Sequence, residues 1–550
     1  MREDFRSELM KKRFSIPLIT IVFVIAFIGG TQINHLISGD NIYEQLSKFK
    51  DVLSLTERYY VDDVDSKRLT EDAITGMLND LDPHSVYIKA SQMKRVTEDF
   101  QGKFEGIGIE FAVVNDTITV VQPIGGGPSA ILGIMSNDKI VKIDGKSAIG
   151  FTNDQVMKSL KGPKGTKVSV SIFRQGVKDV LDFEIVRDVI PLYSVDVSTM
   201  LNKDIGYINV TRFAETTNRE MTAALEKLKN DGMKELIIDL RSNPGGYLDQ
   251  AVKMADLFLD GMPDGSPRKV VYTKGRRSEF DEQYFATTNS DYEKIPLIIM
   301  ISHGTASASE IVSGAIQDWD RGLIVGETSF GKGLVQRQFP LSDGSAVRLT
   351  IARYYTPSGR LIQRSYADGK EKYQEEAFTR KEVVVGENIE HKESESDSTH
   401  PKFKTSKGRI ILGGGGITPD FVIKPGVLTK YSAELSRRNL YYEFAAQFIT
   451  AHGDEISDKY KDDFKMFNKD FQIDDSILHE FVEFTKSKNV EFSQDDFDKD
   501  KTYIQARLKA YVARNYWGNE GWYTVLLGID NQLEEAMTLF PEAEKVAQLN

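Results

Sequence analysis

Between residues 205 and 365, short apolar runs alternate with segments of helical periodicity, and this alternation is the strongest constraint on the fold. The apolar runs are IGYINV, ELIIDLR, KVVYTK, PLIIMIS and GLIVGE, and the helical patterns are Glu220 to Leu228, Leu248 to Leu259 and Ser309 to Trp319. Continuous apolar strands that alternate with helices are typical of a sheet buried on both faces. The sequence therefore predicts an α/β domain.

The flanking regions have different patterns. Residues 40–101 read as helices, because Tyr43, Leu46, Phe49 and Val52 follow a period near 3.6. Residues 103–187 contain short β-rich runs, glycine turns and one helical patch, which predict a small α+β module. Within a core spanning residues 190–425, the segment 366–410 is charged and serine-rich and is expected to be a mobile insertion. Residues 428–550 read as helical.

The N-terminus carries an apolar run of 17 residues without a charge, Phe14 to Gly30. A run of about 17 to 25 residues is long enough to span a bilayer. Basic residues within the preceding segment 1–13 predict that this tail stays in the cytoplasm. We expect a single-pass anchor in the inner (cytoplasmic) membrane, with the rest of the chain on the periplasmic or extracytoplasmic side. A cleaved signal peptide is the alternative, although no clear A-x-A site follows the run.

Composition excludes several classes of chemistry. The net charge of -12 argues against a nucleic-acid partner. The chain has no cysteine, so disulfides, thiol catalysis and cysteine-zinc sites are excluded. Its seven histidines are scattered without an H-E-x-x-H pattern. We therefore expect no metal and no cofactor.

Within the α+β module, the run GIGIEF begins with Gly106, Ile107, Gly108 and Ile109. This run resembles the carboxylate-binding loop of PDZ domains, in which backbone N–H groups hold the end of a chain that adds as a β-strand. The stretches GPSA and DKIVKIDG follow in the order that such a domain requires. The alternative is a β-module with ordinary hairpin glycines.

The stretch GETSFGKGLVQ contains Lys332 and permits three interpretations. A phosphate-binding loop requires a Ser or Thr after the lysine and a helix after the loop, but Gly333 and a strand-like pattern follow. An S-x-x-K pair with Ser329 requires a helical turn, and no helix pattern surrounds it. In the third interpretation, Lys332 is a general base for a serine elsewhere, which requires burial to lower its pKa. An exposed lysine in a glycine turn is the alternative.

A serine that suits this third interpretation lies upstream. Ser307 follows an apolar strand and opens a helix, where its side chain is exposed and the N–H groups of the helix start can bind an oxyanion. Ser307-x-x-Glu310 also reads as a helix capping box. The local pattern does not separate these two roles.

Five motifs together resemble the carboxy-terminal processing peptidases, also called tail-specific proteases. They are LIIDLRSNPGG, GTASASEIVSGAIQD, VGETSFGKGLVQ, IARYYTPSGRLIQ and GITPD, within a similarity that covers about residues 40–425. The resemblance implies a ClpP/crotonase-like α/β protease core with an inserted PDZ domain and helical terminal regions. It further implies a serine endopeptidase that reads apolar C-terminal tails of exported proteins and cleaves them near the C-terminus.

The resemblance also implies residue roles. Ser307 matches the nucleophile, Lys332 the general base and Gln336 the residue that orients the lysine. Backbone N–H groups of Ala308 and of Gly245 or Gly246 would stabilise the oxyanion.

Further expectations concern coupling and partners. Arg174 matches an arginine that couples the PDZ position to the active site. Tail-exposed protein substrates, a homodimer and an activating adaptor are the expected partners. A non-catalytic PDZ scaffold on the same fold is the competing hypothesis.

Overall fold

The computed structural model describes residues 41–261, 266–287, 289–379, 400–460 and 463–549. The chain divides into a unit that ends at Asp80 and a second unit that begins at Leu81. The first unit contains helices α1 (Ile42–Tyr59) and α2 (Ser66–Asn79), capped by Asn41 and Asp65. The helices expected here are present, whereas the apolar run 14–30 lies outside the described residues. None of the helices in the described ranges is long and apolar enough to cross a membrane.

The second unit opens with strand β1 (Val86–Ile88) and helix α3 (Ala90–Gln101), and then forms the α+β module. Its elements are β2 (Lys103–Gly106), β3 (Ile109–Val114), β4 (Thr117–Pro123), α4 (Pro128–Ile131), β5 (Lys139–Ile143), β6 (Lys146–Ser147), α5 (Asn153–Leu160), β7 (Lys167–Phe173), β8 (Leu181–Val186) and β9 (Asp188–Pro191). The main sheet has the order β3-β4-β5-β7-β8, with β6 on β5, and β2 pairs with β9. A separate apolar core that includes Ile118, Ile140 and Val170 shows that this module packs around its own centre.

The α/β alternation folds into a six-stranded sheet of order β10-β11-β12-β15-β16-β21. These strands are β10 (Val195–Met200), β11 (Ile205–Val210), β12 (Glu235–Asp239), β15 (Leu297–Ile301), β16 (Leu323–Gly326) and β21 (Phe421–Val422). Strand β10 is antiparallel to β11, and the other neighbouring pairs are parallel. Helices α6 (Thr217–Asn230), α7 (Leu248–Asp256) and α8 (Ala308–Asp318) pack on one face. Alternate strand residues such as Ile237 and Ile298 pack on the other face. The buried sheet that the sequence predicts is confirmed.

A second sheet lies beside this core. It consists of β1, β13 (Lys269–Gly275), β14 (Gln283–Phe285), β17 (Leu334–Pro340) and β18 (Ala346–Tyr355), together with the short 3₁₀ turn Ser278–Phe280. Strands β17 and β18 form a hairpin, so the segment after Lys332 is strand and turn, as predicted. This hairpin carries Gln336 beside the end of the parallel sheet.

The charged segment 366–410 differs from the expectation of a mobile insertion at both of its ends. Helix α9 (Lys370–Thr379) buries Tyr373 and Ala377, and strand β19 (Lys402–Lys404) pairs with β20 (Ile410–Leu412). Tyr373 packs edge-on against Phe330, next to Lys332. Burial of an aromatic ring gives this polar segment an anchor that its composition does not reveal.

The C-terminal region is helical, as expected. Its helices are α10 (Lys430–Arg437), α11 (Leu440–Tyr460), α12 (Phe464–Asp470), α13 (Asp475–Ser487), α14 (Gln494–Leu527), α15 (Asn531–Met537) and α16 (Phe540–Ala547). The first five share an aromatic-rich core that includes Tyr441, Phe467 and Phe481. Helices α15 and α16 instead cover the outer face of the parallel sheet with Leu533 and Phe540. Both faces of the sheet are thus buried by helices.

Candidate active site

Ser307 lies at the turn between strand β15 and helix α8, as the sequence predicts. Its backbone has φ 55° and ψ −114°, a conformation that costs a non-glycine residue free energy and is typical of functional turns. All eleven residues of α8 are buried, so the turn rests on a rigid base. The capping box is also present, with Oε2 of Glu310 accepting a hydrogen bond from the Ser307 N–H at 2.8 Å. Capping by Glu310 and a serine that lines a cleft are therefore compatible features of this segment.

Lys332 lies between two glycines just before β17, and it is half-buried in the wall of a cleft. Its Nζ donates a hydrogen bond to Oε1 of Gln336 at 2.9 Å, and Nε2 of Gln336 donates to the His84 carbonyl at 2.6 Å. Burial lowers the pKa of Lys332 from 10.5 to about 8, and the positive charge of Arg348 acts in the same direction. A lysine with this pKa is neutral in about a tenth of molecules at pH 7, whereas an ordinary lysine is almost entirely protonated, so burial shifts Lys332 toward what a general base requires.

Glu310 connects the two candidate catalytic residues. Its fully buried carboxylate accepts hydrogen bonds from the backbone N–H groups of Ser307, Gly331 and Lys332, at 2.8, 2.7 and 2.9 Å, and from the Ser329 hydroxyl. Burial raises the pKa of Glu310, and the four donated hydrogen bonds act against that rise. Because every partner donates, the carboxylate form fits this position best. One side chain thus fixes the backbones of both Ser307 and Lys332.

The candidate oxyanion donors differ in whether their N–H groups are already engaged. The N–H of Gly245 donates to Oδ1 of Asn243 at 2.9 Å. Within the described ranges, the N–H groups of Ala308 and Gly246 have no hydrogen-bond acceptor. Gly245 instead permits close approach, since a Cβ there would lie 2.8 Å from both the Ala308 nitrogen and the Ser307 Cβ. The engaged N–H of Gly245 favours Gly246 over Gly245 as the second donor beside Ala308, and the role of this pair stays a prediction.

Ser307, Lys332 and Gln336 line one cleft of about 770 Å³. Helix α3 contributes Phe100 to its wall, and the loop before α7 contributes Gly246 and Tyr247. In the parts of the chain that the structure describes, no cluster of His, Asp and Glu side chains suits a metal ion. The cleft therefore brings together a serine, a lysine of lowered pKa and free backbone donors, which is a constellation suited to acyl transfer.

Comparisons with known proteins agree with this chemistry. The model of peptidase family S41 matches residues 204–369. The carboxy-terminal-processing protease of Bartonella bacilliformis is 41% identical over 59% of this chain and 74% of its own length. The carboxy-terminal processing protease CtpA of Bacillus subtilis is 36% identical over 64% of this chain and 75% of its own. A probable CtpA-like serine protease of Staphylococcus aureus is 36% identical over 62% of this chain and 67% of its own length.

This chain belongs to the carboxy-terminal processing proteases of family S41. It is a serine-type peptidase with a PDZ domain, and the PDZ-domain model matches residues 106–185. Two further models match at the ends of the chain. The model of the activating protease CtpB N-terminal domain matches residues 31–92, and a family of unknown function matches residues 431–518.

The predicted tail-binding residues of this protease lie apart from the catalytic cleft, in the PDZ domain. Gly108 adopts φ 75° between the buried Ile107 and strand β3, which begins at Ile109. Among the described strands, β3 pairs only with β4, so no described strand occupies its other edge. Gly106 ends strand β2. This geometry suits strand addition, and the role of these four residues stays a prediction.

Within the described ranges, the hydrogen bonds of the Arg174 side chain all lie inside the PDZ domain. Its guanidinium forms a bidentate pair with the buried carboxylate of Asp138 and donates to the Gly133 carbonyl. Asp138 holds the pKa of Arg174 above its usual value. The structure does not bring Arg174 to the cleft, and the coupling role of Arg174 stays a prediction.

Sequence reasoning missed three residues of this protease site. Glu310 was recognised only as a helix cap, although it also holds the lysine turn. His84 supplies the carbonyl that binds Gln336, and its imidazole lies 3.0 Å from the Tyr373 hydroxyl. Burial and the charge of Lys332 lower the pKa of His84 to about 4, so the ring is neutral at neutral pH. Arg348 lines the cleft from β18.

Proposed function

We propose that this protease is a membrane-anchored endopeptidase that uses a Ser307/Lys332 dyad and reads apolar C-terminal tails of exported proteins through its PDZ domain. One observation carries the dyad: the carboxylate of Glu310 holds the backbones of both residues, while burial keeps the pKa of Lys332 near 8. Gln336 fixes the lysine side chain within the same cleft.

The reaction follows from this arrangement. Neutral Lys332 takes the proton of the Ser307 hydroxyl as its oxygen attacks the peptide carbonyl. The N–H groups of Ala308 and Gly246 stabilise the developing oxyanion, and each such donor is typically worth about 3 kcal/mol. Lys332 then protonates the leaving amine, and water hydrolyses the acyl-enzyme with Lys332 again acting as base.

The tail preference rests on the open edge of β3 beside the glycine-containing loop. An extended tail that pairs with β3 would place its terminal carboxylate at the N–H groups of Gly106 to Ile109. Apolar side chains of the tail would face the domain core, which reaches β3 through Ile109, Phe111 and Val113.

The anchor, the dimer and the adaptor rest on separate observations. The apolar run Phe14 to Gly30 immediately precedes the region that matches the CtpB N-terminal domain. Helix α1 has no buried residue, and it exposes apolar side chains such as Leu46 and Val52 that a second copy could cover. We retain an activating adaptor as a prediction that follows from the family.

Cleavage by the full-length chain tests the proposal. The substrate is an unfolded reporter protein with an apolar C-terminal tail, compared with the same reporter carrying a charged tail. Ser307→Ala and Lys332→Ala are each expected to lower kcat on the order of 10⁴-fold or more. Lys203→Ala, which alters a side chain that is 89% exposed, is the matched control.

Three outcomes would each contradict part of the proposal. Full turnover in both Ser307→Ala and Lys332→Ala would refute the dyad. Tail binding without acylation of Ser307 by a serine-directed probe, in a chain that cleaves nothing, would favour the non-catalytic scaffold. Equal cleavage of the two reporters would refute the tail preference alone.

A further inference from the structure

Arg348 is a positively charged residue in the wall of the cleft that has no carboxylate partner among the described residues. It lies on β18, opposite Gln338 of β17 and Val86 of β1. Its guanidinium lies over the ring of Phe100, at 5.2 Å from the centroid, and Nη2 donates to Oε1 of Gln338 at 3.2 Å. A guanidinium has five N–H donors, and this is the one hydrogen bond that the Arg348 guanidinium makes to the described residues.

Other buried arginines of the core are compensated. Arg360 pairs with Asp318 at 2.8 Å, and Arg409 pairs with Asp320 and Asp420. Arg321 lacks a carboxylate but donates to three backbone carbonyls. Burial lowers the pKa of Arg348 as well, although its guanidinium stays charged at neutral pH. Arg348 therefore combines partial burial, an uncompensated charge and a position in the cleft.

The position of Arg348 relative to the chemistry follows from strand register. Gln336, which holds Lys332, and Gln338, which contacts Arg348, lie two residues apart on one face of β17. Two residues along a strand span about 7 Å. An extended substrate rises by about 3.3 Å per residue, so a group bound at Arg348 would lie within roughly two or three residues of the scissile bond.

We propose that Arg348 is a carboxylate-binding subsite of the cleft, an inference that rests on the proposed peptidase function. Its ligand is a carboxylate of the substrate chain, either an Asp or Glu side chain near the scissile bond or the free C-terminal carboxylate. The planar guanidinium fork matches a carboxylate in a bidentate geometry, and stacking on Phe100 already orients it.

Binding of a carboxylate at Arg348 changes the pKa of Lys332, the proposed base. The charged groups that act on Lys332 are Arg348, which lowers its pKa, and Glu310 and Asp82, which raise it, while His84 is neutral. A carboxylate bound to Arg348 offsets the positive charge of Arg348. The pKa of Lys332 in the enzyme–substrate complex is then higher with an acidic substrate than with a neutral one.

Matched peptides and the full-length chain test the subsite. One peptide set carries a single Glu or a single Gln at each position near the scissile bond, and a second set compares a C-terminal acid with a C-terminal amide. For the wild type, we expect a preference in kcat/KM of about tenfold for the carboxylate at one position. Arg348→Met should bring this ratio close to one, whereas Arg348→Lys should keep part of it. Arg337→Met removes an exposed arginine of the same hairpin and should leave the ratio unchanged.

The pH dependence of kcat supplies a readout that a structural role would not change. For the wild type, the rising limb should lie at higher pH with the preferred Glu peptide than with its Gln partner, and the two should coincide in Arg348→Met. Cleavage of both peptides without preference would overturn the subsite while leaving the peptidase intact. Failure to cleave any peptide would instead refute the proposed function. A Glu preference that survives Arg348→Met would also overturn the subsite, whereas a surviving preference for the C-terminal acid alone belongs to the PDZ domain and assigns the Arg348 ligand to an Asp or Glu side chain.

Discussion

The protease core and the PDZ domain hold their functional residues by different means. In the core, Glu310 is fully buried, and its carboxylate accepts four hydrogen bonds that fix the segments of both proposed catalytic residues. The PDZ domain contacts the C-terminal helices through partly exposed polar pairs, such as Glu110 with Arg514 at 2.8 Å and Asn137 with Asn515 at 3.0 Å. Buried networks are costly to break, whereas exposed pairs contribute little. The core is therefore built for fixed geometry, and the PDZ domain is held more weakly against the C-terminal helices.

The helix that joins these regions has a break between its two sets of contacts. Before the break, helix α14 contacts the PDZ domain through Arg514 and Asn515. After it, Asn519 and Tyr523 bond to Asp196 on β10 of the core, and Asn519 also accepts a hydrogen bond from Gln122 of the PDZ domain at 3.4 Å. The break is at Gly518, where the backbone has φ 58° and ψ −146°. Only glycine adopts this conformation readily. A side chain at this position would strain the turn between the two contacts.

Glu310→Gln should have the largest effect. The amide would place an NH₂ donor against N–H donors and would remove a charge that four groups solvate. We expect a loss of about 3–5 kcal/mol in the free energy of unfolding and a large loss of kcat. Denaturant unfolding and peptide turnover measure these effects, with the exposed Glu226→Gln as control. A variant as stable as the wild type would show that the network does not hold the core together.

Lys332→Met should instead stabilise the fold while abolishing turnover. Below pH 8 the wild type must bury a protonated lysine, which costs free energy that a methionine does not. The pKa of Lys332 falls from 10.5 to about 8 on folding, so the unfolded chain binds more protons between these values. Wild-type stability should therefore rise from pH 8 to 10.5, and the variant should be about 1–3 kcal/mol more stable at pH 7. Unfolding curves at several pH values test this, and a destabilised variant at pH 7 would contradict it.

Glu110→Gln and Arg514→Met should have the smallest effect on stability. Each breaks a partly exposed pair, so the free energy of unfolding should change by less than about 1 kcal/mol. If the PDZ domain is held weakly, backbone hydrogen exchange in this domain should become faster in both variants, although the global free energy of unfolding changes little. A loss in the free energy of unfolding as large as that of Glu310→Gln would contradict the difference between the two regions.

Sequence reasoning located Ser307 and Lys332 because local motifs surround both, and it gave the α/β core from strand and helix periodicity. Other features depend on pairs that are distant in sequence. His84 meets Gln336 across 252 positions, and Tyr373 reaches the lysine turn from a charged segment whose composition suggested mobility. The difference between Gly245 and Gly246 depends on a hydrogen bond to Asn243, which motif order does not specify. Glu310 also accepts hydrogen bonds from the backbone of Gly331 and Lys332, and this second role depends on how their turn packs on α8.

The central claim is that Lys332 is the base for Ser307. The most direct test is the rate of Ser307 acylation by a serine-directed probe in the full-length chain, measured as a function of pH. We predict a single rising transition near pH 8, since the pKa of Lys332 is about 8, and its loss in Lys332→Arg, which cannot deprotonate. A pH-independent rate, or a transition that persists in Lys332→Arg, would contradict the account.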